Sequence, residues 1–362
     1  MYLALTDEQS FLQEAATAAL ARCKTVEAAR AALDGEPYTD LWPVAVDAGW
    51  TGLLVSEDAD GVGLGAYEAL LILEACGRTL ADARLLGHLP ATALLEAAGA
   101  DAERRGALAR GERRAALVCP SSGDRPGKVA VALDGSGVAV LDGAVPGVLD
   151  ADGADVLVVL GRDADGTPVL SVVDAGADGV TVTPKRGYDG SRALANVAFA
   201  GARATALTLP ADVAPSLGRD LQRALLAAES VGSADGALQM ATAYAKDRIA
   251  FGRAIGSYQA IKHKLVEMLR LTDGARSLLV ATGSAWDAEG REGFTLAANA
   301  ARTAAADALD YAAPENIFIH GGIGATWEGD AMLYYRRAEL SRRLSGGAEA
   351  AAATVATALL AG

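Results

Sequence analysis

The residues best suited to chemistry are concentrated in one stretch, Arg248-Ile249-Ala250-Phe251-Gly252-Arg253-Ala254-Ile255-Gly256-Ser257-Tyr258-Gln259-Ala260-Ile261-Lys262-His263-Lys264. It is a basic, glycine-punctuated turn with aromatics and one amide, set between two predicted helices. Arginine carries a planar fork of donors that matches phosphate oxygens. Glycine lets a backbone approach a ligand closely. Each residue also has a plain reading: Arg248 as a solvated cation at a helix C-terminus, Phe251 as a core aromatic, Gln259 as a surface amide. A second turn, His320-Gly321-Gly322, could present backbone N–H groups or simply join two helices.

Three regions must position these residues. Residues 1–117 read as a helical domain. Thr6-Asp7-Glu8-Gln9 is a capping box, and alanine- and leucine-rich segments follow, broken near Asp34-Gly35-Glu36-Pro37 and Asp58-Ala59-Asp60-Gly61. Residues 118–210 change character. Val129–Leu133, Val138–Leu141, Asp155–Leu160 and Val169–Val173 read as strands separated by Asp-Gly and Gly-rich turns. No helix-length insert lies between them, so an antiparallel barrel or sandwich is expected and a parallel sheet is not. Residues 211–362 return to helix. Leu221, Leu225, Ala228 and Gly232 share one face, as do Ile261, Leu265, Met268 and Thr272. Ala297, Ala301, Ala305 and Leu309 form a small-residue stripe, and a four-helix bundle is the economical arrangement. The fold class is therefore α+β.

The 362 residues suffice for two or three domains with a large core. Aromatics are only 5% of the chain, so Ala, Leu and Val must do the packing. A formal net charge of −14 argues against nucleic acid and anionic membranes as partners. No apolar run is long enough to span a bilayer, and Met1–Glu8 lacks the basic start of a signal peptide. A cytoplasmic protein is expected, with Cys23, Cys76 and Cys119 as buried free thiols. His88, His263 and His320 are too scattered to suggest a metal site.

The order helical domain, β domain, helical bundle, together with the Phe251-Gly252-Arg253 turn, resembles the acyl-CoA dehydrogenase family. The likeness covers nearly the whole chain. Gly49-Trp50-Thr51-Gly52-Leu53-Leu54-Val55 with Gly61–Gly65 is similar to the family's N-terminal domain. Asp247–Lys264, then Ile319-His320-Gly321-Gly322-Ile323-Gly324 with Trp327-Glu328, and Tyr334-Tyr335-Arg336-Arg337-Ala338, carry the rest. The resemblance implies FAD bound between subunits and removal of two hydrogens from the Cα–Cβ bond of an acyl-CoA, with an electron-transfer flavoprotein or similar acceptor. It assigns Arg248 to the FAD diphosphate of a neighbouring subunit, Phe251 to the cofactor's edge, Gln259 to a hydrogen bond with it, and His320, Gly321 and Gly322 to its adenine or diphosphate.

The chain also departs from the family pattern. Phe318 stands where a glutamine is common. The segment that should contact the flavin ring is shortened to Val118-Cys119-Pro120-Ser121-Ser122-Gly123-Asp124, with Ser121 and Ser122 as substitutes or plain turn residues. Asp189-Gly190-Ser191-Arg192 resembles a loop that can approach the flavin. Most importantly, both positions where the family keeps its carboxylate base are occupied by other residues, Gln222 before Arg223 and Ser345 in Leu344-Ser345-Gly346-Gly347. An amide is not a base, and a serine hydroxyl needs one of its own. The resemblance then narrows to the base-lacking subunit of heteromeric (α2β2) enzymes of actinobacterial steroid side-chain degradation, in which a homologous partner supplies the glutamate. Two alternatives stay open. One is a self-sufficient homo-oligomer with Glu229 or Glu349 as a relocated base. The other is a module that binds an acyl-CoA or a partner without turnover.

Overall fold

The computed structural model describes residues 4–120, 127–291 and 293–360. The N-terminal domain holds α1 (Asp7–Ala21), α2 (Thr25–Leu33), α3 (Trp42–Asp47), α4 (Ala66–Arg78), α5 (Leu85–Ala97) and α6 (Ala102–Ala109). The capping box forms as expected: Thr6 Oγ1 accepts from the Gln9 N–H at 3.2 Å, and Gln9 Oε1 accepts from the Thr6 N–H at 3.1 Å. The apolar helix α5 is buried along its whole length from Leu85 to Leu95, which places it inside the molecule rather than on a face.

The β domain comprises β1 (Ala115–Val118), β2 (Lys128–Leu133), β3 (Val138–Leu149), β4 (Val156–Arg162), β5 (Pro168–Asp174), β6 (Val180–Pro184) and β7 (Leu194–Leu207). Pairing runs β2–β3–β7–β5–β4 and returns to β2, so the sheet closes into a barrel. Val129, Val131, Leu141, Leu157, Val159, Val197 and Phe199 fill it. One expectation is corrected. The sheet is mixed, because β1 lies parallel to β4 with Ala115 opposite Val156, and β2 meets β4 in parallel at Ala130 and Arg162. The chain reaches this parallel arrangement through the β2–β3 hairpin, so no crossover helix is needed.

The C-terminal domain is built on α7 (Leu217–Asp247), α8 (Gln259–Asp287) and α9 (Phe294–His320). The shorter α10 (Ala331–Ser341) and α11 (Gly347–Leu360) both lie on α9. Leu221, Leu225 and Ala228 of α7 are fully buried, as are Ala301 and Ala305 of α9. The bundle is continuous with the N-terminal domain because α4 packs on α7. That crossing depends on paired glycines. A methyl at Gly232 would sit 1.9 Å from the Glu74 carbonyl oxygen, and one at Gly77 would sit 2.0 Å from that of Glu229. Only hydrogen fits between backbones that close.

Candidate functional site

Arg248 caps the C-terminus of α7, its N–H donating to the Tyr244 carbonyl at 2.9 Å. The chain then forms a hairpin of β8 (Ile249–Ala250) and β9 (Arg253–Ala254) with Phe251-Gly252 at its tip. Both tip residues have positive φ, 52° and 80°, as a two-residue I′ hairpin requires. Glycine adopts this freely, but a bulky residue is strained there. Phe251 is also 97% exposed. Its ring therefore gains nothing from this chain's core. The Tyr258 hydroxyl donates to the Ala250 carbonyl at 3.1 Å and the Arg253 guanidinium lies 4.2 Å over the Tyr258 ring, bracing the turn. Gln259 opens α8 and is exposed.

The structure brings His320 to the same end of the bundle. Its Nδ1–H donates to the Asn316 carbonyl at 2.8 Å, and its ring stacks on Tyr244 at 4.3 Å. Tyr244 thus ties the Arg248 cap to the α9 terminus. It was not singled out in the sequence, where its only signal is its place one helical turn before Arg248. Gly321 has φ 63°, and a Cβ at Gly321 or Gly322 would meet no described atom within 4 Å. These glycines leave an open cradle rather than a packed turn. Phe318 is 61% exposed with the Lys264 ammonium 4.3 Å above its ring. Among the described residues no carboxylate pairs with Arg248.

Gln222 and the Arg223–Ser345 contact lie toward the other end of α7. The Gln222 side-chain amide donates to the Leu86 carbonyl at 3.1 Å, closing α7 onto α5. Next to it, Arg223 Nε donates to the Ser345 carbonyl at 3.1 Å, and Arg223 Nη1 donates to Asn299 Oδ1 at 2.6 Å. Asn299 in turn donates to Asp220 at 3.1 Å, and the Thr295 hydroxyl donates to the other Asp220 oxygen at 2.9 Å. Burial, and then the nearby Arg219, hold the Arg223 pKa below its usual value. Thr295 also lines a cleft of about 250 Å³ with Leu217, Trp286, Arg291 and Phe294. Gln222 and Arg248 stand 26 positions apart along α7. At roughly 1.5 Å per residue they are separated by about 39 Å, so their side chains cannot meet within one chain.

Glu229 is enclosed. It is 1% exposed and lies between two guanidiniums, pairing with Arg192 and, at 3.0 Å, with Arg337. Arg337 also binds Asp189 at 2.5 Å and the Ser191 hydroxyl at 2.8 Å. The loop Asp189–Arg192, which resembles a family loop that can approach the flavin, is folded inward in this chain: Asp189, Ser191 and Arg192 are all buried. Burial alone would raise the Asp189 pKa, but Arg337, Arg192 and the Ser191 hydroxyl together hold it below the usual carboxylate range. Glu349 is exposed in the first turn of α11. Ser121 and Ser122 lie outside the described residues. Of the cysteines, Cys76 is buried, whereas Cys23 and Cys119 are only half-buried because they sit at element ends. His88 is a core histidine. Its Nδ1 accepts from the Ala115 N–H and its Nε2 meets the Thr51 carbonyl, both at 3.1 Å, and burial pushes its pKa down to about 4.

Comparison with known proteins is consistent with this architecture. The model of the acyl-CoA dehydrogenase N-terminal domain matches residues 6–111, and that of the C-terminal domain matches residues 218–360. Acyl-CoA dehydrogenase FadE34 of Mycobacterium tuberculosis (strain H37Rv) is 33% identical over 351 residues, which is 93% of this chain but 46% of FadE34. The chain thus spans about half of that relative. Acyl-CoA dehydrogenase IpdE2 of the same strain is 32% identical over 342 residues, 93% of each chain. Among solved structures, a variant of the Tcur3481–Tcur3483 steroid ACAD is 26% identical with a TM-score of 0.86, covering 98% of both chains. The ChsE4–ChsE5 complex from Mycobacterium tuberculosis shares the fold at a TM-score of 0.88 and 24% identity, covering 99% of both. The two domain matches and the end-to-end likeness to IpdE2 place this chain in the acyl-CoA dehydrogenase family, FAD-using oxidoreductases that act on CH–CH bonds.

Proposed function

We propose that the chain is the base-lacking subunit of a heteromeric, FAD-dependent acyl-CoA dehydrogenase, arranged α2β2 and acting on a bulky acyl-CoA of the steroid side-chain type. The observation that carries this reading is that Arg223, next to Gln222 on α7, bonds the Ser345 carbonyl, so that the turn at Ser345 is packed on this part of α7. On this reading Gln222 and Ser345 stand at the two positions where the family keeps its base, and neither side chain can accept a carbon-bound proton. General-base catalysis contributes roughly a hundred- to ten-thousand-fold, so a chain without it needs a partner that has it. Glu229 does not replace it, because its charge is already engaged by Arg192 and Arg337.

The other end of α7 has the opposite character. Arg248, Phe251, Gln259, His320, Gly321 and Gly322 offer an unpaired guanidinium, an exposed ring, an amide and an open glycine cradle, a donor set that fits FAD. The chemistry that FAD held there would supply is acceptance of a hydride from the substrate's β-carbon. Arg248 would hold the diphosphate, Phe251 would cover an edge, Gln259 would hydrogen-bond the cofactor, and the His320–Gly322 turn would lie along it. This end is about 39 Å from Gln222, and on the proposed reading these residues complete a cofactor site whose catalytic glutamate belongs to a homologous partner. The neighbours support the reading. The Tcur3481–Tcur3483 steroid ACAD and the ChsE4–ChsE5 complex each pair two differently named chains. More than half of FadE34 lies outside the match, enough for a second domain set in one chain. The electron acceptor proposed is an electron-transfer flavoprotein or its like, and the location proposed is the cytoplasm. No described helix is long and apolar enough to cross a membrane.

The test is the FAD-to-polypeptide ratio of the chain purified alone and after co-expression with a homologue that carries an intact glutamate. A ratio near zero alone, rising to about one per pair, is the expected result. A ratio near one for the single chain would overturn it and direct attention to Glu349.

A further inference from the structure

Arg302 is 0% exposed in the middle of α9, and a guanidinium so placed needs its donors and its charge satisfied. The structure satisfies little of either. Nη2 donates to the Ser341 carbonyl, while Nε and Nη1 have no partner among the described residues. The Ser341 hydroxyl, on the same residue that Arg302 contacts, is 2% exposed and likewise without a partner. The charge is no better matched. The guanidinium of Arg223 on α7 repels it. Two carboxylates act from a distance, Glu229 of α7 and Asp310 of α9 itself, but neither forms an ion pair with it among the described residues, and Glu229 is shared between Arg192 and Arg337. Burial, followed by Arg223, pushes the Arg302 pKa down to about 10, which leaves it charged at neutral pH.

A water molecule would supply an acceptor but no charge. A small anion supplies both, and the hydroxyl of Ser341 can donate to it as well. We propose that Arg302 and Ser341 form a buried site for a halide-sized monovalent anion, set between α9 and the C-terminus of α10. Ser341 lies four residues before Ser345, and Arg223 bonds the Ser345 carbonyl. The ion would therefore fix negative charge close to the turn in which this chain has no carboxylate. The proposal is independent of the partner-subunit reading, since it concerns the interior of one chain and not its flavin.

The test uses the full chain, with its partner where the two are purified together, and bromide as the probe. Crystals grown with bromide should show an anomalous peak within hydrogen-bonding reach of Arg302 Nε or Nη1 and Ser341 Oγ. Thermal unfolding at constant ionic strength should shift upward by several degrees when gluconate is replaced by bromide, saturably. Arg302→Met should remove that shift while leaving the FAD ratio unchanged. If Arg302→Met does not fold, the anomalous map of the unsubstituted protein decides alone. Ordered water without an anomalous peak, or an equal bromide response in Arg302→Met, would overturn the site.

Discussion

Arg223 and Ser345 are joined by a 3.1 Å hydrogen bond from Nε to the backbone carbonyl. The bond holds a left-handed residue, since Ser345 has φ 53°. It makes the turn a fixed feature even though the turn carries no base. Ser345→Glu tests how far the site has gone. On the proposed reading the substitution puts a carboxylate at a base position, but it opens no space between α5 and α7. That seam is closed by the Gln222–Leu86 bond, and Gly218 lies so near Leu94 that an added Cβ would stand 2.4 Å from it. Ser345→Glu in the isolated chain should therefore show no acyl-CoA-dependent dye reduction. Turnover restored by this one change would mean that a working acyl pocket is present.

Glu229 separates a structural carboxylate from a catalytic one. Glu229→Gln leaves Arg192 and Arg337 facing each other with one negative charge fewer, and breaking a buried pair costs roughly 3–5 kcal/mol. Thermal unfolding should move down sharply. In a co-expressed complex, kcat per bound flavin should change little. A loss of turnover at unchanged melting temperature would instead make Glu229 the base.

Much of this was legible in the sequence, and the exceptions share a cause. Long helices announce themselves through periodicity, so α7, α8 and α9 follow from Leu221, Met268 and Ala301. Strands β6 and β7 went unread. Residues Leu194–Leu207 alternate buried and exposed, but half the sequence there is alanine and glycine, which carries little hydrophobic contrast. The parallel pairing of β1 depends on tertiary closure that no local pattern encodes. The turn at Phe251 was readable because its residue types are unusual together. Tyr244 was not, because a tyrosine on a helix is unremarkable until His320 is placed against it. The burial of the loop Asp189–Arg192 was not legible either, because only the buried Arg337 reveals what its polar residues bind.

Asp150 gives the fold a pH dependence whose sign can be stated. Its Oδ2 accepts from the Gly87 N–H at 2.6 Å, while Oδ1 has no partner among the described residues. Burial, and then the charge of Asp82, push its pKa up to about 7; Arg84 and Arg192 oppose this. In the unfolded chain an aspartate titrates near about 3.9. The folded state therefore holds the proton more tightly, and this contribution to stability is full below about 4 and lost as pH rises through 7. Above neutrality His88 is uncharged in both states, so it does not contribute. The melting temperature should fall between pH 6.5 and 8.5, and Asp150→Asn should flatten that slope. An unchanged slope would show that another group is responsible.

Phe251 offers the most direct test of the shared cofactor site. At 97% exposure it contributes no burial to the isolated chain, and its left-handed φ of 52° is a conformation that glycine or asparagine adopts more readily. Phe251→Gly should thus leave the isolated chain as stable as before, or slightly more so, by thermal unfolding. If the ring covers flavin in a partner's site, the same change should lower flavin retention in the complex. Burying an aromatic side chain is worth roughly 1.5–3 kcal/mol, which corresponds to a tenfold or greater rise in the FAD dissociation constant at about 1.4 kcal/mol per decade. Arg248→Met should weaken binding too, and more strongly at low salt because it removes a charge interaction, whereas the Phe251→Gly loss should be insensitive to salt. The contrast between the two salt responses distinguishes a phosphate contact from an aromatic cover. Equal salt responses, or full flavin retention in both variants, would move the cofactor away from this turn.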